Sequence, residues 1–311
     1  MSPQEIVNGA PLDGATQSRL LPRTRPFYWS VRREIWENRS IYIAPLAVAA
    51  VVLFGLVVGA AHLPTKAAHI ITTLDASRQA QAMSIPYDFA AFAILVASFI
   101  VCVFYSLGAL QNERRDRSIL FWKSMPVSDL TTVMAKASVP LVLVPLVTFA
   151  IIMATLLVIL AISMIILPTR GLPATMLVAA FPLGRTMLGL AYTLVVLALW
   201  HAPIWGWLML VSGWARRAAF LWAFGPPLAL SVFEKLAFNT SYVWSLMHYR
   251  VTGALSEAFD VKSGHNGMAQ LDLSQMDPLK FMFTPGLWVG LMVAAALFAA
   301  VVWQRRYRTP I

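Results

Sequence analysis

The chain has 311 residues, of which 59% are hydrophobic and only 12% are charged, and its net charge is +10. Soluble chains carry about 25% charged residues, and their buried helices keep one polar face that the long apolar runs of this sequence lack. Composition therefore excludes an ordinary soluble domain, and it predicts an all-α integral membrane protein. The basic residues fall between the apolar runs rather than on one continuous face, which favours membrane topology over a nucleic-acid partner.

The first 40 residues precede any apolar run. Residues 1–25 are polar and rich in Pro, Gly and Arg, and we expect a disordered tail that is retained, because a signal peptide would place its apolar core earlier. Residues 26–40 predict an amphipathic helix on the inner membrane surface, with a simple cytoplasmic extension of the first span as the alternative. Its apolar stripe is Phe27, Val31 and Ile35, and its polar side is Arg32, Arg33 and Glu37. Its interfacial aromatic residues are Tyr28, Trp29 and Trp36.

Residues 41–311 form a predicted domain of about six transmembrane helices. A span needs roughly 20 mostly apolar residues, and six runs meet this length or approach it. They are Ile41–Leu63, Tyr87–Gln111, Val139–Leu167, Thr186–Gly213, Ala218–Phe238 and Pro285–Trp303. The third needs a tilt or a kink near Pro140 and Pro145, and Pro203 is expected to kink the fourth.

The distribution of charge predicts the orientation. With both termini inside the cell, 16 of the 24 Lys and Arg residues are cytoplasmic and 8 are outside, while the 14 acids divide 7 and 7. Cytoplasmic segments carry an excess of Lys and Arg, so both termini are predicted to be cytoplasmic. In this topology residues 112–130 are an inner loop and 239–283 are an outer segment. Residues 240–260 are too broken to span, and they predict either a re-entrant or interfacial helix or a plain helix of an outer loop.

The inner loop is the most informative segment. Mixed charges are followed by an apolar patch and then by Pro126, and an aromatic patch on a water-facing loop is costly unless something buries it. We therefore predict a short helix over residues 117–125 that docks on a soluble cytoplasmic partner, with a loop resting on the membrane as the alternative. Ser128 and Asp129 predict the N-cap of the next helix. The predicted docking residues are Arg114, Arg115, Arg117, Ile119, Leu120, Phe121, Trp122 and Lys123.

Catalytic and nucleotide-binding motifs are missing. The sequence has no G-x-x-x-x-G-K-[ST], H-E-x-x-H or G-x-S-x-G pattern, and its one cysteine and scattered histidines predict no metal site. Ionisable residues within spans are functional candidates, which singles out His201 and Glu234 as candidate pathway residues. A packing histidine and an interfacial Glu234–Lys235 ion pair are the structural alternatives.

Several segments resemble the membrane subunits of bacterial ABC exporters, the type-two ABC permease class. They are the loop from Glu113 to Asp129, the Trp200-His-Ala-Pro-Ile-Trp-Gly-Trp stretch with Trp214-Ala-Arg-Arg, and Asp277-Pro-Leu-Lys with Thr284-Pro-Gly-Leu-Trp. The resemblance begins at about residue 27 and covers most of the chain. It implies six helices, an N-terminal interface helix, a coupling helix in the first inner loop and an outer re-entrant element before the last span.

The same resemblance implies the function and the partners. The chain would be a non-catalytic permease subunit in the bacterial inner membrane, paired with a second permease copy or a related chain. Two separate ATPase subunits would bind ATP and Mg²⁺, so that this chain itself holds no cofactor. A membrane-embedded enzyme and a non-transporting assembly or sensory protein are the alternatives.

Overall fold

The computed structural model describes residues 24–59, 75–116, 127–166, 168, 183–259 and 276–307. Helix accounts for 91% of the described residues, and they form no strand beyond an isolated bridge between Phe259 and Met276. The predicted all-α fold is confirmed. The tail before residue 24 and the predicted coupling helix at 117–125 lie outside the described residues.

The helices are numbered here in chain order. They are α1 (Thr24–Glu37), α2 (Ser40–Gly59), α3 (Ala76–Gly108), α4 (Gln111–Arg115), α5 (Asp129–Ser138), α6 (Val144–Ile166), α7 (Leu183–Trp200), α8 (Ala202–Trp214), α9 (Ala219–Phe238), α10 (Tyr242–Ala258), α11 (Pro278–Phe283) and α12 (Pro285–Tyr307).

Five segments of the described chain are helical, long and apolar enough to cross a membrane. They are Ser40–Gly59, Ser84–Arg115, Asp129–Ile166, Leu183–Trp200 and Pro285–Tyr307. Their outward faces carry large apolar side chains such as Val51 and Phe54, which are 71% and 70% exposed. Soluble proteins rarely expose such continuous apolar surface, and the chain is a multi-pass membrane protein. Helix α9 matches the predicted fifth span in position and holds the Pro226–Pro227 and Glu234–Lys235 pairs, but it is not one of these five segments.

Three apolar clusters form the core of the described bundle. The first lies between the ends of α3, α5, α8 and α12 and includes Val133, Met209 and Val301, all fully buried. The second joins α2, α3, α6 and α7 around Ile94 and Ile152. The third surrounds Trp200, where α7, α10, α11 and α12 meet. Helix α8 packs extensively on α12, and α10 packs on α7 and α9.

Prolines and a helix cap shape the spans much as the sequence predicts. A π-helical turn, Val139–Leu143, joins α5 to α6, where Pro140 and Pro145 each lack the N–H that a regular α-helix needs. The fourth span is broken at His201, two residues before Pro203. The oxygen of the Ser128 side chain accepts a hydrogen bond from the Thr131 N–H at 3.1 Å, so the predicted N-cap of α5 is confirmed.

Two predicted boundaries differ from the structure. Helix α3 begins at Ala76, whereas the sequence predicts that the second span begins at Tyr87. Pro86 lies inside the helix, and the polar residues before it extend the helix beyond its apolar part. Residues 26–40 form a helix that ends at Glu37, and Asn38 and Arg39 separate it from α2.

Helix α1 directs acidic residues, rather than only its apolar stripe, towards the rest of the protein. It packs on α5, and Glu34 is the most buried described residue of α1, at 3% exposure. Trp29 and Trp36 lie on the opposite, exposed side. A buried carboxylate needs a partner of opposite charge, and its partners define the candidate site.

Candidate functional site

Six charged side chains meet where α1, α4, α5 and α12 converge, and we call this the ionic end of the bundle. The six, named here the ionic cluster, are Arg33, Glu34, Glu113, Asp129, Lys136 and Arg305. Three are cations and three are anions, so their formal charges cancel. Desolvating a charge costs several kcal/mol unless it is paired, and the four most buried members are two acids, Glu34 and Glu113, and two bases, Lys136 and Arg305.

Lys136 lies at the centre of the ionic cluster. Its Nζ is 2.8 Å from Glu34 Oε1 and 3.2 Å from Glu113 Oε1, and the lysine is only 3% exposed. The Tyr105 hydroxyl donates to the other oxygen of Glu34 at 2.9 Å. One ammonium group therefore joins α1 to α4, and both carboxylate oxygens of Glu34 have a hydrogen-bond donor.

Arg305 holds the two ends of the inner loop. Its Nη1 donates to Glu113 Oε2 at 2.7 Å and its Nε donates to Asp129 Oδ1 at 3.0 Å. Within the inner loop, Glu113 lies before and Asp129 lies after the segment 117–126, which is outside the described residues. The last helix therefore fixes the separation and orientation of the points from which that loop leaves the bundle.

Arg33 adds a permanent cation at the edge of the cluster. Its Nη2 donates to Glu113 Oε1 at 3.0 Å, and its Nε lies 2.9 Å from Glu37 Oε1. Burial by itself would lower the pKa of Arg33, but the carboxylates of Glu34, Glu37 and Glu113 raise that pKa above its usual value. The guanidinium stays charged at any physiological pH, so α1 remains tied to α4.

Two of the predicted docking residues are described, and they have different surroundings. The Nη2 of Arg114 donates to the carbonyls of Ser212 and Ala215, at 2.6 and 2.9 Å, and so caps the end of α8. Arg115 is exposed, with Asp116 3.5 Å away. The other predicted docking residues, Arg117, Ile119, Leu120, Phe121, Trp122 and Lys123, lie outside the described residues.

His201, a predicted pathway residue, lies at the break between α7 and α8 and is 4% exposed. Its Nδ1 is 2.9 Å from the Leu197 carbonyl oxygen, and its Nε2 is 3.2 Å from that of Val251 in α10. A neutral imidazole has one N–H and donates to one of these carbonyls, whereas the imidazolium donates to both. In either state the ring fills the space between the break and α10.

Arg250 ties α10 to the same break. The Ile204 N–H donates to the His201 carbonyl, and the Trp200 carbonyl accepts from Arg250 Nη1 at 3.3 Å. Arg250 Nη2 also donates to the Gly286 carbonyl of α12 at 3.0 Å. A Cβ at Gly290 would meet the Arg250 guanidinium, which is the far end of a flexible side chain and would have to shift.

Glu234, the other predicted pathway residue, caps α10. Its carboxylate accepts hydrogen bonds from the N–H groups of Tyr242 and Val243 at 2.6 and 2.8 Å, and from the Thr240 hydroxyl at 2.7 Å. A carboxylate at the first turn of a helix satisfies free N–H groups and complements the helix dipole. The structure does not bring Glu234 and His201 together, since His201 contacts the middle of α10 and Glu234 its start.

No protein-family model, curated protein or solved structure matches this sequence. Membership of the ABC permease class therefore stays a prediction from the motifs.

The ionic cluster is a site that the sequence motifs do not reveal. Its signal was present, because charged residues near the ends of apolar runs are functional candidates. The sequence does not show which charged residues pair, because the partners are far apart along the chain. Arg33 and Glu113 are 80 residues apart, and Glu113 and Arg305 are 192 residues apart.

Proposed function

We propose that this chain is the permease subunit of an ATP-driven ABC exporter, with ATP hydrolysed on a separate chain. The observation that carries the proposal is the clamp of Arg305 on both ends of the inner loop. A partner that moves this loop would move α12 directly, and α1 and α5 through Glu113 and Lys136. The proposed function therefore depends on the ionic cluster as a rigid support for the inner loop. The predicted apolar patch of that loop needs a partner to bury it.

The proposed topology has six spans, with the ionic end in the cytoplasm of a bacterial inner membrane. It is supported by the 16 to 8 distribution of Lys and Arg and by helix α9, whose 20 residues measure about 30 Å at 1.5 Å a residue. In this topology α10 is the outer re-entrant element, packed against the break in the fourth span. Two ATPase subunits would dock at the ionic ends of two permease copies.

Coupling would combine an apolar anchor on the loop with the rigid support of the ionic cluster. Phe121 and Trp122 would insert into a groove of the ATPase, and Arg115, exposed and close to the loop, would orient the docking. Arg114 acts on the permease side, because its guanidinium is held by the end of α8. The loop would then transmit motion to two places, the ionic cluster and α8.

The experiment is co-purification followed by an ATPase assay. The tagged chain is extracted from membranes of its source cells, and the recovered proteins are identified by mass spectrometry. We expect a P-loop ATPase with the parent chain and its loss from the double variant Phe121→Ala/Trp122→Ala. Truncating each buried aromatic hot spot costs about 2 kcal/mol or more, so retention should fall by well over tenfold.

The matched control removes two exposed aromatics at the other end of the bundle, Tyr242→Ala with Trp244→Ala. It should retain the ATPase at the parental level. A parent chain that recovers no P-loop ATPase would contradict the proposal and favour a membrane-embedded enzyme or a sensory protein. A loop variant that binds and transports normally would instead make residues 117–125 a segment that rests on the membrane.

A further inference from the structure

The outward face of α1 holds an arginine between two tryptophan rings. The guanidinium carbon of Arg32 is 5.1 Å from the ring centroid of Trp29 and 4.7 Å from that of Trp36. The two rings are 56% and 65% exposed, and the 59% exposed Tyr28 ring makes an edge contact with Trp29. Both rings are within cation–π distance of the guanidinium, and no described residue forms a hydrogen bond or an ion pair with Arg32.

The position of this face along the chain places it at a membrane surface. Only Asn38 and Arg39 separate α1 from α2, whose apolar residues begin at once. The opposite face of α1 is held against the bundle by Glu34 and Arg33, so the aromatic face must turn outwards. Trp and Tyr concentrate at the level of lipid headgroups, which is where a helix leading directly into a span lies.

The last helix carries the same combination of residues at the ionic end. Trp303 and Tyr307 are exposed, with ring centroids 5.8 Å apart, and the guanidinium of Arg306 lies 5.5 Å from the Tyr307 centroid. Two helices from opposite ends of the chain thus present outward aromatics and arginine together. Both helices would have this combination if each lies where lipid acyl chains meet anionic headgroups.

We propose that Trp29, Arg32 and Trp36 form a binding site for the phosphate of an anionic phospholipid. The planar guanidinium matches two phosphate oxygens, and the flanking indoles exclude water while they contact the glycerol and the upper acyl chain. Anionic lipid is favoured over a protein partner because the face runs directly into a span. The site depends only on membrane insertion, so it stands whether or not the chain is a transporter.

The test is native mass spectrometry of the purified full-length chain in detergent, with added dioleoyl phosphatidylglycerol or dioleoyl phosphatidylcholine. The parent should retain phosphatidylglycerol in preference to phosphatidylcholine. Arg32→Gln should weaken retention of phosphatidylglycerol by about tenfold, as expected for a charge-assisted hydrogen bond. Trp29→Leu with Trp36→Leu should also weaken it, although the charge is kept, because the guanidinium loses its orientation.

Arg185→Gln is the matched control, because it removes an exposed arginine at the other end of the bundle. It should bind phosphatidylglycerol as the parent does, and unchanged elution and unfolding temperature would show that each variant folds. Equal loss in Arg185→Gln, equal retention of the two lipids, or normal binding by Arg32→Gln would each overturn the proposal. So would displacement by soluble glycerol phosphate at the same concentration as the lipid, or a change of oligomeric state in Arg32→Gln, which would assign the face to a second copy.

Discussion

At Lys136 a single ammonium group faces carboxylates from two different helices, with almost no access to water. Removing one member of a buried ion pair leaves an uncompensated charge, which costs about 3–5 kcal/mol. Replacing both members with neutral groups costs much less, because the desolvation penalty disappears with the charges. The ionic cluster is therefore sensitive to loss of balance rather than to loss of any one contact.

Lys136→Met should lower the unfolding temperature of the purified protein by roughly 5 °C or more, given this cost and the usual relation between stability and melting temperature. The double variant Lys136→Met/Glu34→Gln should recover part of the loss, because it restores charge balance. Lys235→Met, at an exposed lysine, serves as the control and should melt as the parent does. A Lys136→Met protein with the parental unfolding temperature would show that the cluster contributes little to stability.

At the scale of elements, the break in the fourth span and α10 form one unit. The His201 ring contacts the Leu197 carbonyl of α7 and the Val251 carbonyl of α10. Arg250 of α10 donates to the Trp200 carbonyl at the break and to the Gly286 carbonyl of α12. Backbone groups at a broken span must find partners inside the protein. Here α10 supplies the partners, and this explains why a helix too polar to span packs beside the spans.

His201→Leu should loosen α10, because the Val251 carbonyl loses its contact with the ring. The readout is maleimide labelling of a cysteine placed at Ala254, which is 2% exposed, in a Cys102→Ala background. Labelling should be several-fold faster in His201→Leu than in the parent, and His201→Gln should retain a donor and label more slowly than His201→Leu. Since His248 is exposed on the same helix, His248→Leu should leave the rate unchanged. Identical rates in all variants would argue that His201 does not hold α10.

In the whole molecule, the number of spans decides whether the two termini lie on the same side of the membrane. Helix α9 connects Arg217, close to the ionic end, with Asn239 at the turn before α10. If α9 crosses the membrane, these two positions lie on opposite sides and the chain has six spans. If it does not, five segments cross and the termini would lie on opposite sides, whereas Arg33 of α1 and Arg305 of α12 meet at Glu113 in the ionic cluster.

Single cysteines in a Cys102→Ala chain decide between these arrangements. We expect Asp75→Cys and Ser241→Cys to react with an impermeant maleimide in intact cells, because the positive-inside bias places them outside. Asp116→Cys and Arg217→Cys should react only after permeabilisation. All four positions are exposed in the structure. Labelling of Arg217→Cys and Ser241→Cys from the same side would remove α9 from the count, and a reversed pattern would overturn the orientation.

The sequence alone determined the features that depend on local composition. Long apolar runs predict membrane helices, Pro203 predicts the break near His201, and Ser128 predicts a cap, because each depends on residues within one or two helical turns. Boundaries were less certain, as the early start of α3 shows, because a helix can continue past the end of its apolar part.

Which charges meet depends on how the helices pack. The sequence shows Glu34, Glu113, Lys136 and Arg305 near the ends of apolar runs, but it does not show that one lysine joins two of the acids or that one arginine holds both ends of the inner loop. It also named Glu234 as a candidate pathway residue, but it does not show that the Glu234 carboxylate caps α10. The periodicity of apolar residues predicts which face of a helix is buried. It does not predict which helices pack together, and partners 80 to 192 residues apart depend on that. The packing order is set by the shapes of the packed surfaces.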